Sequence, residues 1–128
     1  MHPRTIFFLT ATVLVSQTSF GIGQTGMPAG VKEMGGMLTD SNGMTLYTFD
    51  RDTTPNKSSC NGPCLTNWPA LVAAGGAKDT GEWTVITRDD GAKQWAYKGK
   101  PLYTFIQDKK AGDMTGEGRG GVWHMAKP

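Results

Sequence analysis

A seven-residue segment occurs twice in this chain, and it constrains the fold more than any other feature of the sequence. Segment 43–49 reads Gly-Met-Thr-Leu-Tyr-Thr-Phe, and segment 99–105 reads Gly-Lys-Pro-Leu-Tyr-Thr-Phe. In each copy an aspartate, Asp52 or Asp108, stands five positions after the tyrosine. Because aromatic and β-branched residues favour strands, we interpret the chain as two related hairpin units packed about a pseudo-twofold axis.

Short apolar runs separated by turn-forming pairs predict an all-β fold with little helix. Hairpin turns are expected at Asn42-Gly43, Asp90-Gly91 and Lys98-Gly99, where the backbone needs positive φ angles. Segment 64–68 favours one helical turn, which Pro69 ends because the residue before a proline avoids the α region. The expected architecture is a small antiparallel sheet, or a partly closed barrel or sandwich. Its predicted strands are 36–39, 44–50, 82–87, 92–97, 101–106 and 122–126.

The N-terminus has the form of a secretory signal peptide. Arg4 precedes the apolar stretch 6–15, and polar residues follow it. Cleavage is expected after Gly21, because signal peptidase requires small residues before the cut. The apolar stretch is shorter than a membrane-spanning helix, so no transmembrane span is expected after cleavage. We therefore expect a periplasmic or secreted protein.

The remainder of the chain has room for one small domain. Residues 22–35 are rich in Gly and Met without strand or helix periodicity, which predicts a flexible N-terminal arm. Residues 36–128 are predicted to form a single β domain with two repeats, at about 36–72 and 82–126. The glycine-rich segment 116–121 is followed by no helix, so it is predicted to be a flexible connection and not a dinucleotide-binding turn.

Both cysteines, Cys60 and Cys64, lie in the part of the chain predicted to be exported. An oxidising compartment favours a disulfide between them. The bond closes a small ring, so it is expected to hold a loop and not to clamp the whole fold. A redox role is the alternative, although three residues intervene where thioredoxin-like motifs have two. No haem motif is present, since Leu65 occupies the position of the required histidine.

The repeated strand allows two interpretations of its motif residues. Side chains alternate along a strand, which places Tyr47 and Phe49 on one face, and Tyr103 and Phe105 likewise in the second copy. These rings either pack the core, with each trailing aspartate accepting backbone N–H bonds in the next turn, or line a groove with the aspartates and bind a polar ligand. The residues leave both interpretations open.

His124 is the one histidine outside the predicted leader, and it stands between Trp123 and Met125. Alternation places His124 and Met125 on opposite faces of a strand, which does not favour a shared metal ion. The acidic residues, with Ser58 and Ser59, form no recognisable catalytic set. We therefore expect no cofactor, no metal and no enzymatic activity. The net charge of +2 does not single out nucleic acid as a partner.

The pattern Tyr-x-Phe-x-x-Asp, with the Cys60–Cys64 segment and Trp-Pro-Ala-Leu at 68–71, resembles a bacterial family of secreted repeat proteins of unknown function. Members are often described as predicted lipoproteins. The resemblance extends from about residue 36 to residue 126 and includes Gly-Gly-Val-Trp-His at 120–124. It implies the fold and the exported location, and it leaves the activity open. Many relatives carry a lipid-modified cysteine after the leader, and its absence here favours a soluble exported form.

The sequence thus predicts an exported, non-catalytic module that binds an unknown protein or cell-envelope component, or serves a structural role. The alternative is a redox, electron-transfer or metal-binding accessory that uses Cys60 and Cys64, or His124 and Met125. The candidate binding residues are Tyr47, Phe49, Asp52, Trp68, Tyr103, Phe105, Asp108, Trp123 and His124.

Overall fold

The computed structural model describes residues 27–128. The predicted signal peptide (1–21) and the first part of the predicted arm (22–26) lie outside the described residues. The strands are β1 (Val31–Met34), β2 (Met37–Asp40), β3 (Tyr47–Phe49), β4 (Trp83–Thr87), β5 (Lys93–Tyr97), β6 (Lys100–Pro101) and β7 (Trp123–Met125). Helix is limited to α1 (Pro63–Asn67) and a 3-10 turn (Arg119–Gly121) within this range.

The strands form three small antiparallel sheets, β1-β2, β3-β7 and β4-β5-β6. The prediction of an all-β fold with minor helix is therefore confirmed. The partly closed barrel offered as one form of it does not occur within residues 27–128, because the strands are divided among three separate sheets and none of these closes. Short strands joined by bridges take its place.

Backbone hydrogen bonds relate the two repeats by a pseudo-twofold axis. At the axis, the Tyr47 amide donates to the Tyr103 carbonyl (2.7 Å), and the Tyr103 amide donates to the Tyr47 carbonyl (3.0 Å). Equivalent bonds flank this exchange in matched pairs: Ala126 N to Leu46 O with Leu71 N to Leu102 O, and Asp50 N to Val122 O with Ile106 N to Asn67 O. The repeated strands therefore meet each other at the centre of the molecule.

The repeated strand buries both of its faces. Leu46 and Leu102 enter a main core that also contains Leu38, Trp83 and Trp95. Their neighbours point the opposite way, into a second cluster that we call the aromatic core, formed by Tyr47, Cys60, Trp68, Tyr103, Phe105 and Trp123. Because side chains alternate along a strand, one Leu-Tyr dipeptide in each repeat supplies both cores.

The N-terminal arm is the main correction to the predicted domain plan. Residues 31–34 of the predicted arm form β1, which pairs with β2 and buries Val31. The hairpin turns at Gly35 and Gly36, whose φ angles of 58° and 79° suit glycine. The strand was missed because the other three residues of β1 are exposed, so the sequence carries no apolar alternation there.

The three predicted turns occur where the sequence placed them. Backbone bonds close the chain around Asn42-Gly43 and Asp90-Gly91, and Lys98-Gly99 joins β5 to β6. The predicted strand 101–106 is regular only in β6, after which Tyr103 continues through single bridges to two other segments. The strand is short because the chain pairs first with β5 and then, at Tyr103, with Tyr47 and Ala70.

Candidate functional site

The tyrosines and aspartates of the repeated motif bind each other across the repeats. The Tyr47 hydroxyl donates to Asp108 Oδ2 (2.6 Å), and the Tyr103 hydroxyl donates to Asp52 Oδ2 (2.7 Å). Each tyrosine is therefore bound to the aspartate of the other repeat and not to the one that follows it in sequence.

Each aspartate also fixes the loop that follows it. Asp52 Oδ1 accepts bonds from the Ser59 amide and hydroxyl, both at 2.7 Å. Asp108 Oδ1 accepts bonds from the Thr115 amide (2.9 Å) and hydroxyl. The backbone bonds expected for the trailing aspartates are thus present. The additional bond to the partner tyrosine makes each carboxylate a link between its own loop and the opposite repeat.

Most of this motif lies in the interior. Tyr47 and Tyr103 are fully buried, and Asp108 is 6% exposed, while Asp52 is partly exposed. Within residues 27–128, every buried side-chain nitrogen or oxygen atom has a hydrogen-bond partner. Tyr47, Tyr103 and Asp108 therefore lie in the interior and do not line an open groove, and their polar atoms are bonded within the protein.

Four aromatic rings form a continuous stack through the aromatic core. Phe49 lies 4.2 Å from Trp123, Trp123 lies 3.8 Å from Trp68, and Trp68 lies 4.1 Å from Phe105, between ring centroids. The two repeats contribute one phenylalanine and one tryptophan each. Tyr47 meets Trp68 edge-on, with an interplanar angle of 80°. Aromatic pairs of this kind stabilise a core by more than the burial of their surface area alone. The predicted binding residues Trp68, Phe105 and Trp123 therefore join the two repeats.

Burial changes the acid-base behaviour of both motif tyrosines. Loss of solvent around the Tyr47 ring, then the bond to the Asp108 carboxylate, raises the pKa of Tyr47 well above its usual value. Burial and the bond to Asp52 raise the pKa of Tyr103 in the same way. Both hydroxyls are therefore held protonated as hydrogen-bond donors, the state that the aspartates require.

We expect stability to fall steeply at alkaline pH. In the unfolded chain the two tyrosines lose protons near pH 10, whereas in the folded protein they keep them. Above about pH 10 the unfolded state therefore binds fewer protons than the folded state. The contribution of the two tyrosines to the free energy of unfolding is complete below that pH, and above it the free energy of unfolding falls by about 1.4 kcal/mol per pH unit for each tyrosine. Urea unfolding between pH 9 and 11 measures the slope. Tyr47→Phe should remove about half of the part of this slope that the two tyrosines contribute. An unchanged slope would contradict the conclusion that Tyr47 stays protonated in the folded protein.

Arg88 is a buried charge that the sequence analysis did not identify. Its side chain is 1% exposed, and it donates to Ser58 Oγ (2.7 Å), Gln94 Oε1 (2.8 Å) and the Cys60 carbonyl. Ser58 Oγ in turn lies 2.6 Å from the Tyr103 hydroxyl. Arg88 thereby connects the disulfide loop to β5 and to the motif. No local pattern marks it, since an arginine after a strand is ordinarily exposed.

Cys60 and Cys64 form the expected disulfide, with a Cα–Cα distance of 5.3 Å. Cys60 is fully buried in the aromatic core, and Cys64 packs at its edge. The bond spans the beginning of α1 and holds the loop whose carbonyl and hydroxyl groups bind Arg88. It therefore positions one wall of the aromatic core.

Reduction of this disulfide is expected to lower the free energy of unfolding by about 2 kcal/mol, the loop-entropy value for a ring of this size. Urea titrations with and without a phosphine reductant measure the difference. The Cys60→Ser/Cys64→Ser double variant is the control, because its stability should not respond to the reductant. A loss of all structure on reduction would contradict a local role.

His124 lies at the surface between two carboxylates. Its Nε2 is 2.8 Å from Asp50 Oδ2, and its Nδ1 is 3.9 Å from Glu117 Oε1. Glu117 also accepts a bond from the Met125 amide (2.6 Å). In the described part of the chain, no group of three or more His, Cys, Asp or Glu side chains is arranged to hold a metal ion.

A cleft of about 330 Å³ opens beside His124. His124 is one of the candidate binding residues of the sequence, whereas the lysines beside it carry no distinguishing motif. The lining residues come from both repeats and include Thr48, Asp50, Tyr97, Lys98, Lys100, Leu102, His124, Met125, Ala126 and Lys127.

The fold and the crossed tyrosine–aspartate pairs define a duplicated all-β unit whose two repeats interlock. The chain belongs to the family described as a secreted repeat of unknown function, whose model matches residues 30–72 and 84–127. The first matched range begins at residue 30 and so includes β1, which the predicted repeat (36–72) omitted. No curated protein and no solved structure matches the chain. None of the helices within residues 27–128 has the length and apolar character to cross a membrane.

Proposed function

We propose that this protein is a non-catalytic module of the periplasm or the secreted fraction, and that it binds a protein or cell-envelope component through its outer surface. The observation that carries the proposal is that the hydroxyl and carboxylate groups of the motif are bonded to other groups of the same chain. Tyr47, Tyr103 and Asp108 are buried and bound to each other or to adjacent loops. Groups engaged in this way serve the fold and are not available to a substrate.

The serine and histidine side chains support the same proposal. Ser58 is buried and bound to Arg88 and Tyr103, and His124 is bound to Asp50. A serine hydrolase needs its base within hydrogen-bond reach of the hydroxyl. The accessible side chains are those of the loops and of the cleft beside His124. They are suited to binding a partner and not to catalysing a reaction.

The test combines a turnover screen with a binding assay. The purified protein is incubated with ester, peptide, glycoside and thiol-disulfide substrates, and separately with isolated cell-wall material in a sedimentation assay. We expect no turnover and saturable binding. Turnover that is abolished by Asp52→Asn, in a variant that retains the wild-type circular dichroism spectrum, would overturn the proposal.

A further inference from the structure

The duplication lets one half of the molecule serve as a reference for the other. Positions with the same residue in both repeats include the tyrosine, phenylalanine and aspartate of the motif and the stacked tryptophans. These residues form equivalent tyrosine–aspartate bonds and equivalent aromatic contacts in both repeats, so the shared fold accounts for them. Positions that differ in character at equivalent places need another explanation, and several of them lie together.

The differing positions gather around the cleft beside His124. Matching hydrogen bonds across the pseudo-twofold axis relate segment 43–50 to segment 99–106, and segment 67–72 to segment 122–127. Each pair has a charged or ionisable residue at the cleft and an apolar one at the equivalent place. These pairs are Asp50 with Ile106, Lys100 with Met44, His124 with Pro69, and Lys127 with Val72.

The shared architecture does not require charge at these positions. Ile106 and Val72 occupy the equivalent places while 47% and 70% exposed, so the fold accepts apolar residues there. The charged set is therefore a property of the cleft and not of the repeat.

The charges at the cleft leave two ammonium groups without a counter-charge. Lys98 pairs with Glu82 at 3.7 Å, and Asp50 pairs with His124. Neither Lys100 nor Lys127 forms an ion pair with any residue between 27 and 128. Because Lys100 and Lys127 outnumber Asp50, the one carboxylate among the residues that line the cleft, they give it a positive potential that favours an anion.

Apolar side chains complete the cleft. Leu102 and Ala126 are buried beneath it, and Tyr97 and Met125 line its sides. A volume of about 330 Å³ lies at the small end of the range for ligand pockets. An apolar floor with cationic groups at the rim suits a compact molecule that has an apolar body and a carboxylate.

We propose that this cleft is a binding site for a small organic carboxylate, with Lys100 and Lys127 contacting the anionic group and the apolar floor contacting the body. This proposal rests on the proposed function, because it names the surface through which the module binds. A carboxylate borne on a cell-wall peptide or on a free metabolite has the same chemistry at this site.

The test uses benzoate as the probe and benzamide as its uncharged analogue, with the exported protein labelled with ¹⁵N. Benzoate is expected to shift the amide resonances of Thr48, His124 and Lys127 saturably in the millimolar range, and benzamide to shift them at least tenfold more weakly. The Lys100→Gln/Lys127→Gln double variant should raise the benzoate Kd at least tenfold. The Lys93→Gln/Lys110→Gln variant removes the same charge elsewhere on the surface and should leave the Kd within twofold.

Three results would overturn the inference: equal shifts with benzoate and benzamide, an unchanged Kd in the double variant at the cleft, or no saturable shift. None of them bears on whether the protein is catalytic, which the turnover screen decides separately. A short peptide ending in a free carboxylate, compared with its C-terminal amide, distinguishes a wall-peptide source from a free metabolite. Tighter binding than benzoate indicates the peptide, and weaker binding indicates the metabolite.

Discussion

Replacing Tyr47 with Phe and Asp108 with Ala in one chain is expected to destabilise the protein by less than the sum of the two single replacements. The difference should be about 0.5–3 kcal/mol, the range for residues that share one hydrogen-bond network. Asp108→Ala alone should cost about 3 kcal/mol, because it leaves the Tyr47 hydroxyl and the Thr115 amide without their acceptor. Urea unfolding of the four proteins in this cycle measures the coupling.

The matched control pairs Tyr47 with the aspartate of its own repeat. Tyr47→Phe and Asp52→Ala should combine additively within about 0.5 kcal/mol, since these two side chains share no hydrogen bond. Tyr103 with Asp52 should couple, but less strongly, because Asp52 is partly exposed and Tyr103 is also bonded to Ser58. Coupling between Tyr47 and Asp52, with none between Tyr47 and Asp108, would refute the crossed arrangement.

The duplication, the turns and the disulfide were predictable from the sequence because each depends on local chemistry. An Asn-Gly or Asp-Gly pair specifies a hairpin turn wherever it stands, and two cysteines four positions apart need little of the fold to meet. The repeated Leu-Tyr-Thr-Phe segment likewise identified the strands at the centre of the molecule. The alternation of its side chains into two cores follows from strand geometry alone.

The crossing of the tyrosine–aspartate pairs carries a signal that the sequence analysis did not use. That signal is the duplication itself, because a tyrosine and an aspartate that recur at the same spacing in two repeats can pair reciprocally across a twofold axis. The Tyr47 and Tyr103 backbones exchange hydrogen bonds at the axis, and each tyrosine hydroxyl binds the aspartate of the other repeat.

Other features depend on tertiary contacts that no local pattern encodes. Arg88 is buried only because the disulfide loop folds over the end of β4 and offers it acceptors. β1 is a strand because β2 lies beside it, although three of its four residues face solvent. The cleft likewise requires Lys100 and Lys127 to converge from segments far apart in sequence.

Gly116 belongs to the segment predicted to be a flexible connection, and the structure buries it against Trp68 and Tyr47 of the aromatic core. Its amide donates to the Tyr47 hydroxyl at 3.1 Å. A Cβ atom added there would lie 2.8 Å from ring carbons of both Trp68 and Tyr47, closer than side chains approach each other. Neither ring can move away, because Trp68 is held in the four-ring stack and Tyr47 is bonded to Asp108.

Gly116→Ala is therefore expected to destabilise the protein by about 3 kcal/mol through overpacking, which lowers Tm by roughly 10–20 °C for a domain of this size. Gly75→Ala is the matched control, because Gly75 is exposed and a Cβ atom added there meets nothing within 4 Å. That variant should keep its Tm or gain slightly, as the unfolded chain loses conformational freedom. Thermal unfolding followed by near-ultraviolet circular dichroism reports both Tm and the packing of the tryptophans. Equal Tm values for the two variants would show that the loop can yield, and that Gly116 does not fix the aromatic core.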